Sequence, residues 1–276
     1  MIKKAVIPAA GLGTRLLSAT KEQPKEMLPI FTKNADNELC LKPLLQLIFE
    51  QLYDVGFREF CFIVGRGKRV VEDFFTPDYN FIDDLKNRGK VKLAQELAYF
   101  YEKIRSSVLV FINQPKPMGF GEAVYNARLF AGEEAFLVHA GDDLIISKNN
   151  NHLNRLIDTF RRHSADAALC VEEVRDPKSY GLIVGKKVSQ KIYKVERIVE
   201  KPKSPPSNIA VVAIYIFTPT IFQAIKRTQP DENDEIQLTD AIQQLLDEER
   251  NVYAVELDRG EQRIDIGTPT SYWRAL

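Results

Sequence analysis

Short apolar runs alternate with amphipathic helical stretches along most of this chain. The runs predicted to be strands are 3–8, 59–64, 107–112, 135–139, 165–171, 191–199, 210–217, 252–256 and 262–265. This alternation is typical of a sheet whose two faces are both covered by helices. The sequence therefore predicts an α/β fold of three layers, Rossmann-like, with a mixed, mostly parallel sheet at its centre.

Three helices are predicted from the spacing of their apolar residues. The first begins at Pro43, whose fixed backbone suits a first helical position, and ends at Gly56. The other two cover 152–163 and 238–246, and all three are interpreted as core helices. Residues 76–106 break the alternation and predict a helical insertion within one domain that spans 1–276.

Composition excludes several classes of partner. Lys and Arg number 38, as do Asp and Glu, so no excess charge points to nucleic acid or to an anionic membrane. No run approaches the ~20 apolar residues of a membrane span, and the amino terminus lacks the apolar core of a signal peptide. The three cysteines lack CxxC spacing and are interpreted as reduced thiols, so a cytoplasmic location is predicted.

The first strand runs into a glycine loop, Ala9-Ala10-Gly11-Leu12-Gly13-Thr14-Arg15. Two glycines let backbone amides approach a phosphate closely, and Arg15 adds a permanent planar cation. Leu16 stands where a dinucleotide-binding loop needs its third glycine, and the pattern GxxxxGK[ST] is absent. The loop predicts a polyphosphate site of neither of those two kinds.

Lys25 follows this loop between Pro24 and Pro29, which restrict where its ammonium can point. The whole stretch 6–29, which ends with QPKEMLP at 23–29, resembles the signature of the sugar-1-phosphate nucleotidylyltransferases. QPKEMLP is similar in particular to the bacterial and archaeal UTP–glucose-1-phosphate uridylyltransferases. The resemblance implies the nucleotide-diphospho-sugar transferase fold, with a sugar-binding and oligomerisation part from about residue 200.

A second motif, NQPKPMGFGEA at 113–123, ends one strand and opens a helix. Ligands gather at the carboxyl ends of strands in such sheets, so this loop is expected to face the loop at 9–15. The amide of Gln114 can both donate to and accept from a base edge, and Gly119 allows close backbone approach. Both match base-contacting positions of the resembled family.

A third motif places two carboxylates, Asp142 and Asp143, after the strand at 135–139. Adjacent carboxylates repel each other, and a cation such as Mg²⁺, which prefers oxygen ligands, relieves that repulsion. The resemblance makes Asp142 a metal ligand, Asp143 a residue on the sugar side and Asp265 the second metal ligand. From the residues alone, Asp265 can equally cap the helix that begins near Thr268.

A fourth motif comprises Gly181 and the pair Glu200 and Lys201. Glu200 can accept hydrogen bonds from sugar hydroxyls, and Lys201 can neutralise a sugar phosphate. The resemblance makes these residues the sugar-phosphate half of the site and adds a contact near Ala213, where the family often has glycine.

The implied reaction is attack by glucose-1-phosphate on the α-phosphorus of UTP with Mg²⁺. The expected catalytic residues are Arg15, Lys25 and Lys201. The expected nucleotide-binding residues are Ala10, Gly11, Gly13, Thr14, Glu26, Gln114 and Gly119. The expected sugar-binding residues are Asp143, Gly181, Glu200, Lys201 and Ala213.

Two other functions remain open at this point. One is a dTTP-using transferase or one with broad nucleotide and sugar tolerance. The other is a noncatalytic protein that keeps the fold and binds nucleotide sugars. The expected partners are the small-molecule substrates and further copies of the chain, in a homodimer or homotetramer.

Overall fold

The computed structural model describes residues 2–34 and 36–276. Its strands are β1 (Lys4–Ala9), β2 (Pro29–Lys33), β3 (Leu39–Pro43), β4 (Glu59–Gly65), β5 (Val108–Gln114), β6 (Phe136–His139), β7 (Asp143–Ile146), β8 (Ala167–Glu173), β9 (Leu182–Ser189), β10 (Ile192–Val199), β11 (Ile209–Phe217), β12 (Val252–Glu256) and β13 (Gln262–Asp265). Its helices are α1 (Leu44–Val55), α2 (Arg69–Phe74), α3 (Tyr79–Asn87), α4 (Val91–Arg105), α5 (Phe120–Asn126), α6 (Arg128–Ala131), α7 (Asn151–Arg162), α8 (Thr220–Arg227), α9 (Leu238–Asp247) and α10 (Pro269–Ala275).

Nine of the strands form one sheet in the order β5-β4-β1-β6-β11-β8-β12-β10-β9. The four strands β5, β4, β1 and β6 are mutually parallel, and β8 and β12 also pair in parallel. The pairs β6–β11, β11–β8, β12–β10 and β10–β9 are antiparallel. The sheet is therefore mixed, and the expected parallel arrangement dominates only the half that begins at β5. In the other half β9 and β10 form a hairpin, which brings the strands together antiparallel.

Helices cover both faces of this sheet, as predicted. Along β1, Ala5 and Ile7 face a core shared with α1, α4 and α7, while Val6 faces a core shared with α5, α8 and α9. Successive side chains of a strand point to opposite faces, so a strand buried on both sides is apolar throughout. This explains why β1 is a continuous apolar run and lies at the centre of the fold.

The predicted strands are all present, with ends shifted by at most two residues, and four further strands join them. Of the latter, β2 and β3 form a separate hairpin, β7 pairs with β13, and β9 lies at the sheet edge. Helix α1 begins at Leu44 rather than at Pro43, which precedes it as the last residue of β3. Helices α3 and α4 occupy most of 76–106. None of the helices described is both long and apolar enough to cross a membrane.

Candidate active site

The carboxyl ends of β1, β5 and β6 open onto one cleft of about 370 Å³. Because these strands are parallel, the loops that follow them emerge at the same edge of the sheet. The predicted residues that line the cleft are Ala10, Gly11, Gly13, Thr14, Arg15, Lys25, Glu26, Gln114, Gly119 and Asp142. The structure thus brings together every residue predicted to bind nucleotide.

The loop after β1 is shaped by a left-handed turn at Gly13, where φ is 66°. A side chain there is disfavoured by this φ, and a Cβ would also lie 3.1 Å from the side chain of Thr20. Thr20 donates a hydrogen bond to the Gly13 carbonyl at 2.7 Å and fixes the turn. Arg15, two residues after Gly13, is exposed and lines the cleft, and its guanidinium lies beside Gly267, where a Cβ would lie 3.1 Å from Arg15 Nη2.

Lys25 is brought to the same loop by a short 3₁₀ turn over Lys25–Met27. A Cβ on Gly11 would lie 3.8 Å from Lys25 Nζ, so the ammonium sits directly beside the loop. Its partner is the carboxylate of Asp142, to which it donates a hydrogen bond. Burial alone lowers the pKa of Lys25, but the Asp142 carboxylate outweighs it and the pKa is raised. Burial likewise opposes ionisation of Asp142, yet Lys25 lowers its pKa, so both groups are charged.

Glu26 lines the cleft and is almost fully buried. Its carboxylate accepts a hydrogen bond from Lys68 Nζ at 3.0 Å. Burial raises the pKa of Glu26 and lowers the pKa of Lys68, while the opposite charge of each partner resists the shift. The Glu26 carboxylate therefore borders the nucleotide cleft and is fixed there by Lys68.

Gln114 ends β5 and is buried, with its amide nitrogen donating to the carboxylate of Glu122 on α5. This contact fixes which way the amide points, and it leaves the amide oxygen as the acceptor. Gly119 has a φ of 95°, and a Cβ on it would lie 2.7 Å from the backbone of Ile236. Only glycine allows this approach, so a crossing segment that begins at Glu235 lies against the predicted base-binding loop.

Asp143 is held by an arginine that the sequence analysis did not single out. Arg263 Nε lies 2.9 Å and 2.8 Å from the two oxygens of Asp143, and Arg263 Nη1 donates to Glu172 at 2.6 Å. Burial raises the pKa of Asp143 to about 6, against the opposing effect of Arg263. The carboxylate predicted to face the sugar thus has both oxygens bound to Arg263, which also lies over the ring of Tyr180.

Asp265 ends β13, next to the segment that carries Asp142 and Asp143. It pairs with Asp143 across β13 and β7, and the amide of Ile266 donates to the Asp142 carbonyl at 3.2 Å. Helix α10 is capped by Thr268, whose hydroxyl accepts from the Ser271 amide at 3.1 Å, so Asp265 is not the cap.

Asp142 lines the cleft and pairs with Lys25, and Asp265 accepts a hydrogen bond from the amide of Gly267, which also lines the cleft. Mg²⁺ commonly takes one or two carboxylates and completes its coordination with water and substrate phosphates, so these two side chains are the candidate ligands. Within residues 2–34 and 36–276, no three His, Cys, Asp or Glu side chains cluster as a metal cage.

The predicted sugar residues form a second group outside the cleft lining. Glu200 accepts from Thr239 at 2.8 Å and pairs with Lys201 at 3.2 Å. A Cβ on Gly181 would lie 2.7 Å from Thr239 and 3.0 Å from Glu200, so glycine is required for this packing. Ala213 lies at an irregularity of β11, where its carbonyl accepts from the Ala140 amide at 2.9 Å. That bond joins the second group to the loop that carries Asp142.

Four contributors to the site were not predicted. Lys68 and Arg263 hold Glu26 and Asp143, while Glu122 and Thr239 hold Gln114 and Glu200. Lys68 lies in the segment GRGKR, Arg263 in RIDIG and Thr239 in EIQLTD. Their partners are distant in sequence, and no local pattern reveals such pairings.

The fold and the cleft together define a phosphate-binding α/β protein with a nucleotide-sized site. The profile of the nucleotidyl transferase family matches residues 4–276, so the chain belongs to that family.

Relatives match the chain along its full length. A protein of Streptococcus pyogenes serotype M3 named UTP–glucose-1-phosphate uridylyltransferase 2 is 38% identical over 273 residues, which are 96% of this chain and 86% of that protein. A UDP-glucose pyrophosphorylase complexed with UDP-glucose is 33% identical, with a TM-score of 0.84 over 100% of this chain and 97% of that one. UTP-bound UGPase from Acinetobacter baumannii is 30% identical, with a TM-score of 0.86 over 100% and 92%.

Proposed function

We propose that this chain transfers a uridylyl group from UTP to glucose-1-phosphate and releases UDP-glucose and pyrophosphate. The observation that carries the proposal is the position of Lys25, between Gly11 of the glycine loop and the carboxylate of Asp142. At this position the Lys25 ammonium can neutralise the charge of a phosphate that is bound by the glycine loop. Relatives named for this reaction match nearly all of the chain, which supports the same assignment.

The chemistry asks for positioning rather than for a covalent partner. An oxygen of glucose-1-phosphate forms a bond to the α-phosphorus of UTP, and the bond from that phosphorus to the β-phosphate oxygen breaks. Both reactants are anions, so cations must offset their repulsion while the three atoms lie in line. The phosphate monoester is already ionised at neutral pH, so no general base is needed.

The residues divide this work between two half-sites. Arg15 and the amides of 11–14 hold the β- and γ-phosphates, and Lys25 stabilises the charge that develops on the α-phosphate. Lys201, with its exposed side chain, binds the attacking phosphate, and Glu200 orients the sugar. Mg²⁺ held by Asp142 and Asp265 would supply charge neutralisation of the phosphates.

The base is bound by Gln114 and the backbone at Gly119, and the sugar by the strands around Gly181 and Ala213. The Asp143 carboxyl contributes through Arg263, which ties β7 to the sugar strands. We further propose that the chain acts in the cytoplasm as a homodimer or homotetramer, with residues from about 200 contributing to assembly.

A pyrophosphate-release assay with Mg²⁺ tests this function. UTP and dTTP are each paired with glucose-1-phosphate and galactose-1-phosphate, and kcat/KM is expected to be highest for UTP with glucose-1-phosphate. Equal turnover with dTTP would indicate a broad-specificity transferase instead. No turnover with any pair, together with measurable binding of UDP-glucose, would indicate a noncatalytic nucleotide-sugar-binding protein.

A further inference from the structure

Lys68 is a buried lysine to which the proposed reaction assigns no role. It follows β4 in the segment GRGKR and is 9% exposed. Its ammonium donates to the Ala9 carbonyl at 2.5 Å and to the Glu26 carboxylate at 3.0 Å. Burying an ammonium is costly unless its hydrogen bonds are met, and here two acceptors from different loops meet them.

The two acceptors belong to the two parts of the phosphate site. Ala9 is the last residue of β1, where the glycine loop begins, and Glu26 is adjacent to Lys25 in the 3₁₀ turn. One ammonium therefore joins the loop that holds the phosphates to the turn that carries the lysine. The Ala9 carbonyl and the Glu26 carboxylate are both acceptors, and the Lys68 ammonium links them by donating to each.

A third loop packs against the same glutamate side chain. A Cβ on Gly141 would lie 3.1 Å from Glu26 Cγ, so the Glu26 side chain packs against the residue before Asp142. The segment that carries Lys68 also packs against the glycine loop, since a Cβ on Gly65 would lie 3.0 Å from the Ala10 carbonyl oxygen. Lys68 thus stands where the β1, β4 and β6 loops and the Lys25 turn meet.

We infer that Lys68 is a positioning residue for the transfer reaction, which sets the Lys25 ammonium against the glycine loop without touching substrate. The inference rests on the proposed function for its kinetic consequence, but the contacts exist in the free protein. Removing Lys68 loosens the loop and the turn, and it leaves the sugar half-site around Glu200 and Thr239 in place. A displacement of the order of 1 Å in such a site can reduce a rate ~100-fold.

The test compares Lys68→Met with Lys103→Met. Lys103 is a matched control, because it is equally buried and its ammonium pairs with Asp54 at 2.9 Å on α1, away from the cleft. For Lys68→Met we expect kcat to fall ~10- to 100-fold and the KM for glucose-1-phosphate to stay within about twofold. For Lys103→Met we expect both constants, corrected for the folded fraction from circular dichroism, to stay within about twofold.

Hydrogen exchange in the absence of substrate gives a second readout that does not depend on activity. Peptides covering 9–17 and 24–29 should exchange faster in Lys68→Met and at the wild-type rate in Lys103→Met. If the wild-type protein shows no turnover, the proposed function fails, but the exchange rates at 9–17 and 24–29 still test whether Lys68 positions the loop and the turn.

The inference is overturned if both variants lose activity only in proportion to their folded fraction, or if Lys68→Met keeps kcat within about twofold of wild type. Unchanged exchange at 9–17 and 24–29 would also overturn it. Should Lys68→Met fail to fold, Lys68→Gln keeps one donor without the charge and is judged against the same outcomes.

Discussion

At the scale of single residues, the charges of this site are held in pairs. Lys25 is bound to Asp142, Lys68 to Glu26, and Arg263 to Asp143. Pairing keeps each buried charge solvated by its partner while no ligand is present. In the proposed reaction, a UTP phosphate that binds Lys25 would displace Asp142 from it. The Asp142 oxygens would then be available to Mg²⁺, so UTP and Mg²⁺ would favour each other's binding.

Lys25→Ala tests the residue assigned to the transferring phosphate. We expect kcat to fall ~10³-fold with little change in the KM for UTP, because the charge that Lys25 stabilises develops in the transition state. Steady-state kinetics measure both constants. Lys21→Ala is the control, since Lys21 is exposed and pairs with the exposed Glu22. A rise in KM with kcat unchanged would show that Lys25 binds the ground state only.

Gln114→Ala tests the assignment of the base. Loss of the amide leaves the uracil edge without its partner, and we expect kcat/KM for UTP to fall ~10- to 100-fold. The KM for glucose-1-phosphate should not change, because the sugar residues lie outside this part of the cleft. If kcat/KM fell equally for UTP and for glucose-1-phosphate, Gln114 would maintain the structure of the whole cleft and would not bind the base specifically.

At the scale of elements, one short segment joins the two half-sites. Ile236 exchanges hydrogen bonds with the base loop, donating to Met118 at 2.9 Å and accepting from Gly121 at 2.8 Å. Three residues on, Thr239 donates to Glu200 of the sugar half-site. The segment 235–239 therefore sets the distance between the proposed base-binding loop and the proposed sugar-binding residues.

Gly121→Ala tests this segment. A Cβ there would lie 2.7 Å from the Ile236 carbonyl oxygen, so the segment must move. We expect the KM values for UTP and for glucose-1-phosphate to rise together, ~10-fold or more, since one displacement disturbs both half-sites. Gly260→Ala serves as the control, because nothing lies within 4 Å of its Cβ. A rise in the KM for UTP alone would show that the segment supports only the base-binding loop.

His152 of helix α7 is fully buried and neutral in the folded protein, which makes stability depend on pH. Burial lowers the pKa of His152 from 6.5 to about 3. Below pH 6.5 the unfolded chain binds a proton that the folded chain excludes, so stability is lost as the pH falls through this window. In His152→Gln, urea unfolding should show a pH dependence weaker by about 1.4 kcal/mol per pH unit between pH 6 and 4. Identical pH dependence in both proteins would contradict this origin.

The elements also show what the sequence can and cannot predict. Strand β1 and its sheet neighbours are predicted well, because burial on both faces makes them continuous apolar runs. Strand β7 is not predicted because it is short and begins at the charged Asp143. The Asp143 carboxylate is paired with Arg263, which lies 120 residues away in sequence. The sequence placed the proposed nucleotide-binding residues that line the cleft together because they lie in two short segments, 10–26 and 114–119, whereas Lys68 and Arg263 bind partners that only the fold brings near.

At the scale of the whole molecule, the change of strand direction divides the work of the site. The parallel strands β5, β1 and β6 carry the loops of the nucleotide cleft, and the mixed half of the sheet from β11 to β9 carries or adjoins the proposed sugar residues Gly181, Glu200, Lys201 and Ala213. The two halves meet where β6 pairs with β11, beside the bond between Ala140 and Ala213. The attacking phosphate and the α-phosphate are expected to meet at this junction.

This arrangement predicts direct transfer in one step, with no nucleotide bound covalently to the protein. UTP that carries a single sulfur on its α-phosphate, as one diastereomer, tests this directly when it reacts with glucose-1-phosphate. The account predicts that the UDP-glucose analogue forms with inverted configuration at that phosphorus. Retention of configuration would require two displacements and would contradict the assignment of Lys25, Arg15 and Lys201 as purely electrostatic groups.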